Sequence, residues 1–383
     1  MVRPEQTPSS LRVKVPSRQA SEHLAHLRPA EIGDSRSDAY GGATKVRGSA
    51  PLDEKRQRRV VFYSFYFPKR ISSTYLTQLT LSLLSLRGHN QTIPIHFFVH
   101  GRVPKALKAV LRAVEAQVHL MGSYKRNIMS FRHGNPLLAD YPTLSKWLCL
   151  YRLADLQPSQ VLYLDGDTFF MKDVNLLFDR YSKHDLYAAR EPMAQEIEDY
   201  FSENGFRDLA RSQKAKTILP FNIGIMIMNN GFWKKVPPHL DTFLSCLWRF
   251  YLWMALNPSL EGDENIVHLR QNLNRYLSTA HARKRALPYP SSNWWIRDQV
   301  AMWLTLGKIP DFRSGFFSPK DVLLGGALRK PWRAQDSVVI HYFSANSSCF
   351  FDLLRQNPDF WFPEEIGSSA IAVKCLQAWH RPT

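Results

Sequence analysis

The sequence predicts one doubly wound α/β domain with a largely parallel central sheet, beginning at about residue 58. Runs of β-branched and aromatic residues, typical of buried strands, alternate along the chain with leucine-rich segments at helical spacing. Alternating strands and helices build βαβ units, whose neighbouring strands run parallel. In addition, 44% of the 383 residues are hydrophobic, which suffices for one large core.

The first βαβ unit is predicted between residues 60 and 101. Its strands are "VVFYSFYF" (60–67) and "IPIHFFVHG" (93–101). The helix between them is expected to end at Gly88, and its apolar face carries Leu76, Leu79, Leu83 and Leu86. A second helix, "LKAVLRAVEAQV", is predicted to follow the second strand.

The middle of the chain continues the alternation. A helix is predicted within 140–158, capped by Thr143 and stopped before Pro158. A strand at 161–164 leads into an acidic turn, and a short helix is expected to start at Asp173.

Two further apolar runs are predicted as strands. In "ILPFNIGIMIMNNG" (218–231), Gly224 lies inside the run, where a glycine marks close approach of another group to the backbone. "SVVIHYFS" (337–344) is expected to be a strand that ends at His341. Residues 232–296 are predicted to be a helical insertion within a domain that spans 59–383.

The start of the chain differs in composition from the rest. Residues 1–58 are rich in Ser, Pro, Gly, Arg and Glu and lack apolar periodicity, which predicts a disordered basic tail. No secretory signal is expected in this polar start, and no apolar run approaches the roughly 20 residues that cross a bilayer. The widely spaced cysteines form no C-x-x-C pair, which favours reduced thiols and a cytoplasmic location; they are Cys149, Cys246, Cys349 and Cys375.

The charge balance favours anionic partners. Formal net charge is +17, which suits phosphorylated small molecules, nucleic acid or peripheral contact with the acidic inner surface of a membrane. Nucleic acid is the weaker of these interpretations, because the sequence has neither zinc-finger spacing nor an RNP-like aromatic motif.

Two carboxylates, Asp165 and Asp167, follow the predicted strand 161–164 directly and are separated by Gly166. In an open parallel sheet, ligands bind beyond the carboxyl ends of the strands, where His341 would also lie. Two carboxylates and an imidazole suit Mn²⁺ or Mg²⁺, and the glycine relaxes the turn so that both carboxylates can reach one ion. A charged surface turn, with His341 simply at a strand end, is the alternative.

A long block of sequence resembles glycosyltransferase family 8, the retaining enzymes with the GT-A fold that include glycogenin and bacterial lipopolysaccharide galactosyltransferases. The block is "YPTLSKWLCLYRLADLQPSQVLYLDGDTFFMKDVNLLFD", which is similar to the family's T-x-x-K helix, D-x-D strand and "LFD". "PFNIGIMIMNNG" is similar to its F-N-(S/A)-G-V strand, "WWIRDQVAM" to its D-Q motif, and "VVIHYFS" to its late strand ending in a metal ligand. The resemblance covers roughly 60–350.

The resemblance implies a GT-A, Rossmann-like fold and a role for each matching residue. Asp165, Asp167 and His341 would ligate the metal. Asp165 would also contact the donor's ribose, and Gly166 would belong to the donor-binding residues. Lys146 would lie near the donor sugar or diphosphate. The nucleotide base would bind beside Tyr63, Ser64 and Phe65.

The acceptor side is implied in the same way. Asn222 would hold the donor sugar, and Asp298 and Gln299 would lie near the anomeric carbon and the acceptor. Other interpretations stay open: Lys146 on the solvent face of its helix, Asn222 as a turn residue, Asp298 as a helix cap, or Asp263 in the place of Asp298.

The chain departs from the family pattern after the late histidine. The family continues G-x-x-K-P-W, whereas this chain has Ser344 at the glycine position and lacks the phosphate-contacting lysine. A K-P-W at Lys330–Trp332 lies upstream of the histidine.

The resemblance implies a metal-dependent glycosyltransferase that moves a sugar from a nucleoside-diphosphate sugar, UDP-sugar first among them, to an acceptor hydroxyl with retention. The acceptor would be a glycan, a lipid-linked molecule or a protein. Two alternatives are a basic protein that binds nucleic acid or a membrane surface on a degenerate transferase fold, and a metal-dependent nucleotidyltransferase or phosphohydrolase.

Overall fold

The structure is a computed structural model that describes residues 59–67, 72–132, 134, 144–156, 158–190, 221–256, 297–325, 336–342 and 346–356. The predicted tail 1–58 and most of the predicted insertion, from 257 to 296, lie outside these residues. None of the helices in the described ranges is long and apolar enough to cross a membrane.

Strands and helices alternate through most of the described chain. The strands are β1 (Arg59–Phe67), β2 (Ile95–Gly101), β3 (Gln117–Leu120), β4 (Gln160–Leu164), β5 (Thr168–Phe170), β6 (Leu186–Arg190), β7 (Phe221–Asn229), β8 (Ser314–Phe316), β9 (Val322–Leu324) and β10 (Val339–His341). The helices are α1 (Ser73–His89), α2 (Lys105–Ala113), α3 (Tyr124–Met129), α4 (Ser145–Leu148), α5 (Leu150–Asp155), α6 (Asn175–Arg180), α7 (Asn230–Lys235), α8 (Leu240–Leu256), α9 (Arg297–Leu306) and α10 (Asn346–Gln356).

Seven of the described strands form the central sheet, in the order β3-β2-β1-β4-β7-β6-β8. β1 pairs in parallel with β2 and β4, β2 with β3, and β6 with β8. β7 runs antiparallel to both of its neighbours, β4 and β6. The predicted α/β class with a largely parallel central sheet is therefore confirmed.

The central sheet is covered on both faces, as the period-2 alternation of strand side chains requires. In β1, Phe62 packs into a core shared with α4, α5, α8 and α9, whereas Tyr63 packs into a core shared with α1, α2 and α6. β4 divides in the same way, with Tyr163 on the first face and Leu164 on the second. Both faces bury large aromatic and aliphatic side chains, each worth about 1.5–3 kcal/mol on burial.

A second sheet of three described strands corrects one prediction. β10 pairs antiparallel to β5 and parallel to β9, so His341 ends a strand of this small sheet and not one of the central sheet. The chain turns out of β4 at the acidic residues and forms β5 immediately. His341 pairs with Thr168 in β5, which directly follows the acidic turn. His341 therefore lies beside this turn although it belongs to the small sheet.

Several element boundaries also differ from the sequence predictions. α1 continues through Gly88 to His89 and is capped by Asn90, whose backbone N–H donates to Leu86 O. The helix predicted from residue 107 ends at Ala113, because Glu115 takes a φ of 53° and the chain leaves the helix for β3. The helix predicted across 140–158 is interrupted at Cys149.

The short helix after the acidic turn begins slightly later than predicted. Asp173 Oδ1 accepts a hydrogen bond from Asn175 N at 2.8 Å, so this carboxylate stabilises the start of α6 from outside it. Within the predicted insertion, the structure describes most of α7 and all of α8. Phe243 and Leu247 of α8 pack into the core that contains Phe62. The assignment of 232–296 as an insertion stays a prediction.

Candidate active site

The acidic turn after β4 is fixed by its neighbours. Asp165 N donates to Gly224 O of β7 at 2.8 Å, and Tyr342 N donates to Asp167 O at 3.0 Å. Thr168 Oγ1 donates to Asp165 O at 3.0 Å and closes the turn from within. The turn is thus anchored to both sheets, and its two carboxylates are held where the sheets meet.

The structure brings the three predicted metal ligands together. One ligand atom from each of Asp165, Asp167 and His341 lies within 4.8 Å of the other two. His341 Nε2 lies 3.2 Å from Asp167 Oδ1, and the side chains of Asp165 and Asp167 are 33% and 23% exposed. Two partly exposed carboxylates and a buried imidazole form a donor set that suits Mn²⁺ or Mg²⁺, so the residues fit a divalent ion.

The charges of Asp167 and His341 depend on each other. Burial opposes ionisation of Asp167, but the charge of His341 and the hydrogen bond from it outweigh burial and lower the pKa of this carboxyl. Burial likewise opposes the charged imidazole, but the charge and hydrogen bond of Asp167 outweigh it and raise the pKa of His341. Without an ion, the pair is therefore stabilised as carboxylate and imidazolium.

Gly224 makes room for the His341 ring. A Cβ at position 224 would lie 2.1 Å from His341 Cε1 and 2.7 Å from Nε2. Real side chains do not approach so closely, so the ring occupies the space that the missing side chain leaves in β7. The sequence prediction that this glycine marks a close approach is confirmed, and the approaching group is the predicted ligand itself.

Lys146 of α4 lies between the metal-side and acceptor-side carboxylates. Its Nζ is 3.5 Å from Asp165 Oδ1 and 3.8 Å from Asp298 Oδ2. Lys146 is only 4% exposed, and its Nζ also lies 5.0 Å from the centroid of the Tyr163 ring. The alternative interpretation, a lysine on the solvent face of its helix, is wrong.

The acceptor-side residues come together around an irregularity in β7. The register between β6 and β7 shifts, so that Ala188 pairs with Met226 and Ala189 with Asn222. Within the shifted segment, Asn222 Oδ1 accepts from Gly224 N at 2.9 Å. Such irregularities re-aim side chains and are common beside active sites.

Asp298 and Gln299 lie in the first turn of α9, against the same segment. Gln299 Oε1 accepts from Ile223 N at 3.3 Å, and both side chains are buried. Asp298 also faces Lys146 of α4. The structure therefore brings these two residues and Asn222 to the edge at which the acidic turn lies.

The predicted base-binding residues divide into two groups. Tyr63 is fully buried, and its hydroxyl lies 2.9 Å from Ser82 Oγ, so its side chain belongs to the core and does not line a pocket. Ser64 is also buried, with Oγ 3.1 Å from Cys149 Sγ. Phe65 lies at the site, since a Cβ at Gly166 would be 3.3 Å from its ring.

Tyr75 is a site residue that the sequence predictions missed. It lies in the first turn of α1, half-buried, with its ring edge-on to Phe65 at 5.6 Å between centroids. Burial raises its pKa well above the usual value, and the charges of Asp165 and Asp167 raise it further, so the tyrosine faces the acidic pair. Its place in the helix that follows the first strand was the available signal, because ligands bind where such helices begin.

Several residues named in the sequence predictions lie outside the described residues. They are the predicted helix cap Thr143, Asp263 as the rival of Asp298, the K-P-W at Lys330–Trp332, and Ser344 in the departure from the family pattern.

Comparison with protein families gives one match. Residues 69–237 match the model of glycosyl transferase family 8. This segment contains Lys146, both acidic-turn carboxylates and Asn222, whereas Asp298, Gln299 and His341 lie beyond it. A search of curated protein sequences gives no match.

Solved structures with low sequence identity are also similar to the chain. The galactosyltransferase LgtC, in complex with donor and acceptor sugar analogues, is 14% identical with a TM-score of 0.43 over 85% of this chain and 97% of its own. Mouse xyloside xylosyltransferase 1 is 14% identical with a TM-score of 0.43, over 76% of this chain and 98% of its own. The glycosyltransferase GlyE of Streptococcus pneumoniae TIGR4 is 13% identical with a TM-score of 0.37, over 75% of this chain and 55% of its own.

Proposed function

We propose that this chain, a glycosyltransferase of the family 8 type, transfers a sugar from a nucleoside-diphosphate sugar to an acceptor hydroxyl at the edge formed by the acidic turn, α4 and α9. UDP-sugar is the proposed donor class, and retention of the anomeric configuration is the proposed outcome, as the family resemblance implies. Asp165, Asp167 and His341 would hold a divalent ion, Mn²⁺ or Mg²⁺. The convergence of these three ligand atoms within 4.8 Å is the observation that carries the proposal.

The donor would bind across the acidic turn. A bound divalent ion neutralises the negative charge that develops on the leaving diphosphate. Phe65 and Tyr75 offer an aromatic corner beside the turn, and the base of the nucleotide is proposed to bind against it. Lys146 supplies a fixed positive charge at the same place, next to Asp165.

The acceptor hydroxyl would approach from the side of α9. Asn222, Asp298 and Gln299 are proposed to surround the transferred sugar, because they lie on the bulged segment of β7 and on the helix turn against it. Asp298 is held beside Lys146, and its carboxyl oxygens are proposed to accept hydrogen bonds from sugar hydroxyls. Buried groups on these elements would keep water from the reacting carbon.

The proposal is tested with a panel of nucleotide sugars. Release of nucleoside diphosphate is measured with and without Mn²⁺, in the native protein and in the variants Asp165→Ala and Asp167→Ala. We expect hydrolysis or transfer that depends on the metal and falls by at least about 100-fold in each variant. Equal turnover in the native protein and both variants would contradict the proposal. Mass analysis of products on glycan, lipid-linked and protein acceptors then identifies the acceptor class.

The net charge of +17 supports a second, accessory function, which is binding to an acidic membrane surface or to nucleic acid. Binding of this kind would weaken steeply with salt and would not change in the Asp165→Ala and Asp167→Ala variants. Liposome and nucleic-acid binding at two salt concentrations therefore separates it from the catalytic site.

A further inference from the structure

Tyr163 lies directly beneath the candidate metal site. It lies near the end of β4, two residues before Asp165. Its hydroxyl donates a hydrogen bond to Asp165 Oδ1. The ring itself is fully buried, 4.9 Å from the ring of Phe62 between centroids, so the hydroxyl is held rigidly.

A positive charge lies near the same carboxylate oxygen. Lys146 Nζ lies 3.5 Å from Asp165 Oδ1, and it also lies over the Tyr163 ring, 5.0 Å from the centroid. The ring therefore contacts the lysine through its face and the carboxylate through its hydroxyl. The hydrogen bond and the nearby ammonium group therefore both act on Oδ1 and hold the Asp165 carboxylate in one orientation.

We infer that Tyr163 is a positioning residue that fixes the orientation of Asp165 and thereby sets the affinity of the site for a divalent cation. The inference rests on the proposed metal site. Without the hydroxyl, the carboxylate can rotate toward Lys146 and offer both oxygens to the ammonium group, which then competes with the ion for them. Groups that hydrogen-bond a metal ligand typically change affinity by about 10–100-fold when removed.

The structure offers a matched control. Tyr181 is also a buried tyrosine, and its hydroxyl donates to Asp321 Oδ2 in a part of the fold outside the acidic turn. Tyr163→Phe and Tyr181→Phe both remove a hydrogen bond from a tyrosine hydroxyl to a carboxylate, while each keeps its ring in the core. Tyr181→Phe also removes the acceptor of Ser318 N, so it is the more disruptive of the two changes. Any general effect of losing such a bond is expected in both variants.

The experiment measures Mn²⁺ binding to the full chain without nucleotide, by the electron paramagnetic resonance signal of free Mn²⁺, together with thermal unfolding. We expect Tyr163→Phe to weaken Mn²⁺ binding by about 10-fold and Tyr181→Phe to leave it unchanged. Asp165→Ala is measured beside them, because it removes the proposed ligand itself.

The outcomes separate the two proposals. Native affinity in Tyr163→Phe with lost binding in Asp165→Ala overturns the positioning role and leaves the metal site standing. Native binding in Asp165→Ala overturns the metal site as well. A Tyr163→Phe protein that does not fold, while Tyr181→Phe does, also overturns the inference, because the hydroxyl would then serve the fold.

Discussion

The substitution Gly224→Ala provides a sharp test of the candidate site, because it adds one methyl group in the space that the His341 ring occupies. The new Cβ would be 2.1 Å from His341 Cε1, whereas ordinary contact begins at 3.4 Å. The ring must therefore move by roughly 1.3 Å, or β7 must move by as much. Metal–ligand distances tolerate deviations of only about 0.2 Å, so a shift of this size removes His341 as a ligand.

The expected result is a large loss of metal affinity with a smaller loss of stability. We expect Mn²⁺ binding to weaken by at least about 10-fold, since one of three protein ligands is displaced. Overpacking a buried site costs typically about 1–3 kcal/mol, so the variant is expected to fold. Calorimetric titration with Mn²⁺ and urea unfolding measure the two effects separately.

A matched variant controls for overpacking itself. Gly315→Ala in β8 places a Cβ 2.7 Å from the Tyr187 ring, away from the acidic turn. We expect Gly315→Ala to lose stability and to bind Mn²⁺ as the native protein does. If Gly224→Ala bound Mn²⁺ with native affinity, His341 could not be a ligand in the position that the structure gives it.

Three further predictions concern buried ionisable groups. Lys146→Met is expected to destabilise the fold by about 3 kcal/mol in urea unfolding, because it leaves the carboxylate of Asp298 buried beside an apolar side chain. Burial lowers the pKa of His100 to about 4, so the unfolded chain, with a pKa near 6.5, takes up a proton first as pH falls. Titration of His100 should therefore lower the free energy of unfolding by about 2 kcal/mol between pH 7 and pH 5. A His100→Gln variant, measured by urea unfolding at both pH values, should not show this part of the decrease. Burial raises the pKa of Cys149 to about 12, so a thiol reagent at pH 8 should label this residue only after unfolding, as peptide mapping would detect.

The parts of the fold that follow local pattern were predictable. The buried runs of β1, β2, β4 and β7 and the leucine-rich helix α1 follow from composition and periodicity, which act within a few residues. The pairing of β10 was not predictable in this way. A strand of three residues carries little pattern, and its partner β5 is also only three residues long.

In the candidate site too, residues marked by local sequence pattern were predictable, and residues placed by tertiary contacts were not. Asp165 and Asp167 were found because a carboxylate pair after an apolar run is visible in the sequence itself. Tyr75 was missed because its relation to the acidic pair exists only after α1 folds back over β1. For Tyr63, position along β1 decided the outcome, because Tyr63 and Phe65 face the same core and only Phe65, two residues nearer the carboxyl end of the strand, lies beside the acidic turn.

The position of the candidate ligands in two different sheets has a thermodynamic consequence. Asp165 follows the central sheet, whereas His341 belongs to the small sheet formed by β5, β9 and β10. An ion that binds both would stabilise the folded state by about 2.7 kcal/mol at a concentration 100 times its dissociation constant, and this stabilisation would act on the junction of the sheets. Amide hydrogen exchange in β10 should then slow as Mn²⁺ is added, so the small sheet would report the occupancy of the site.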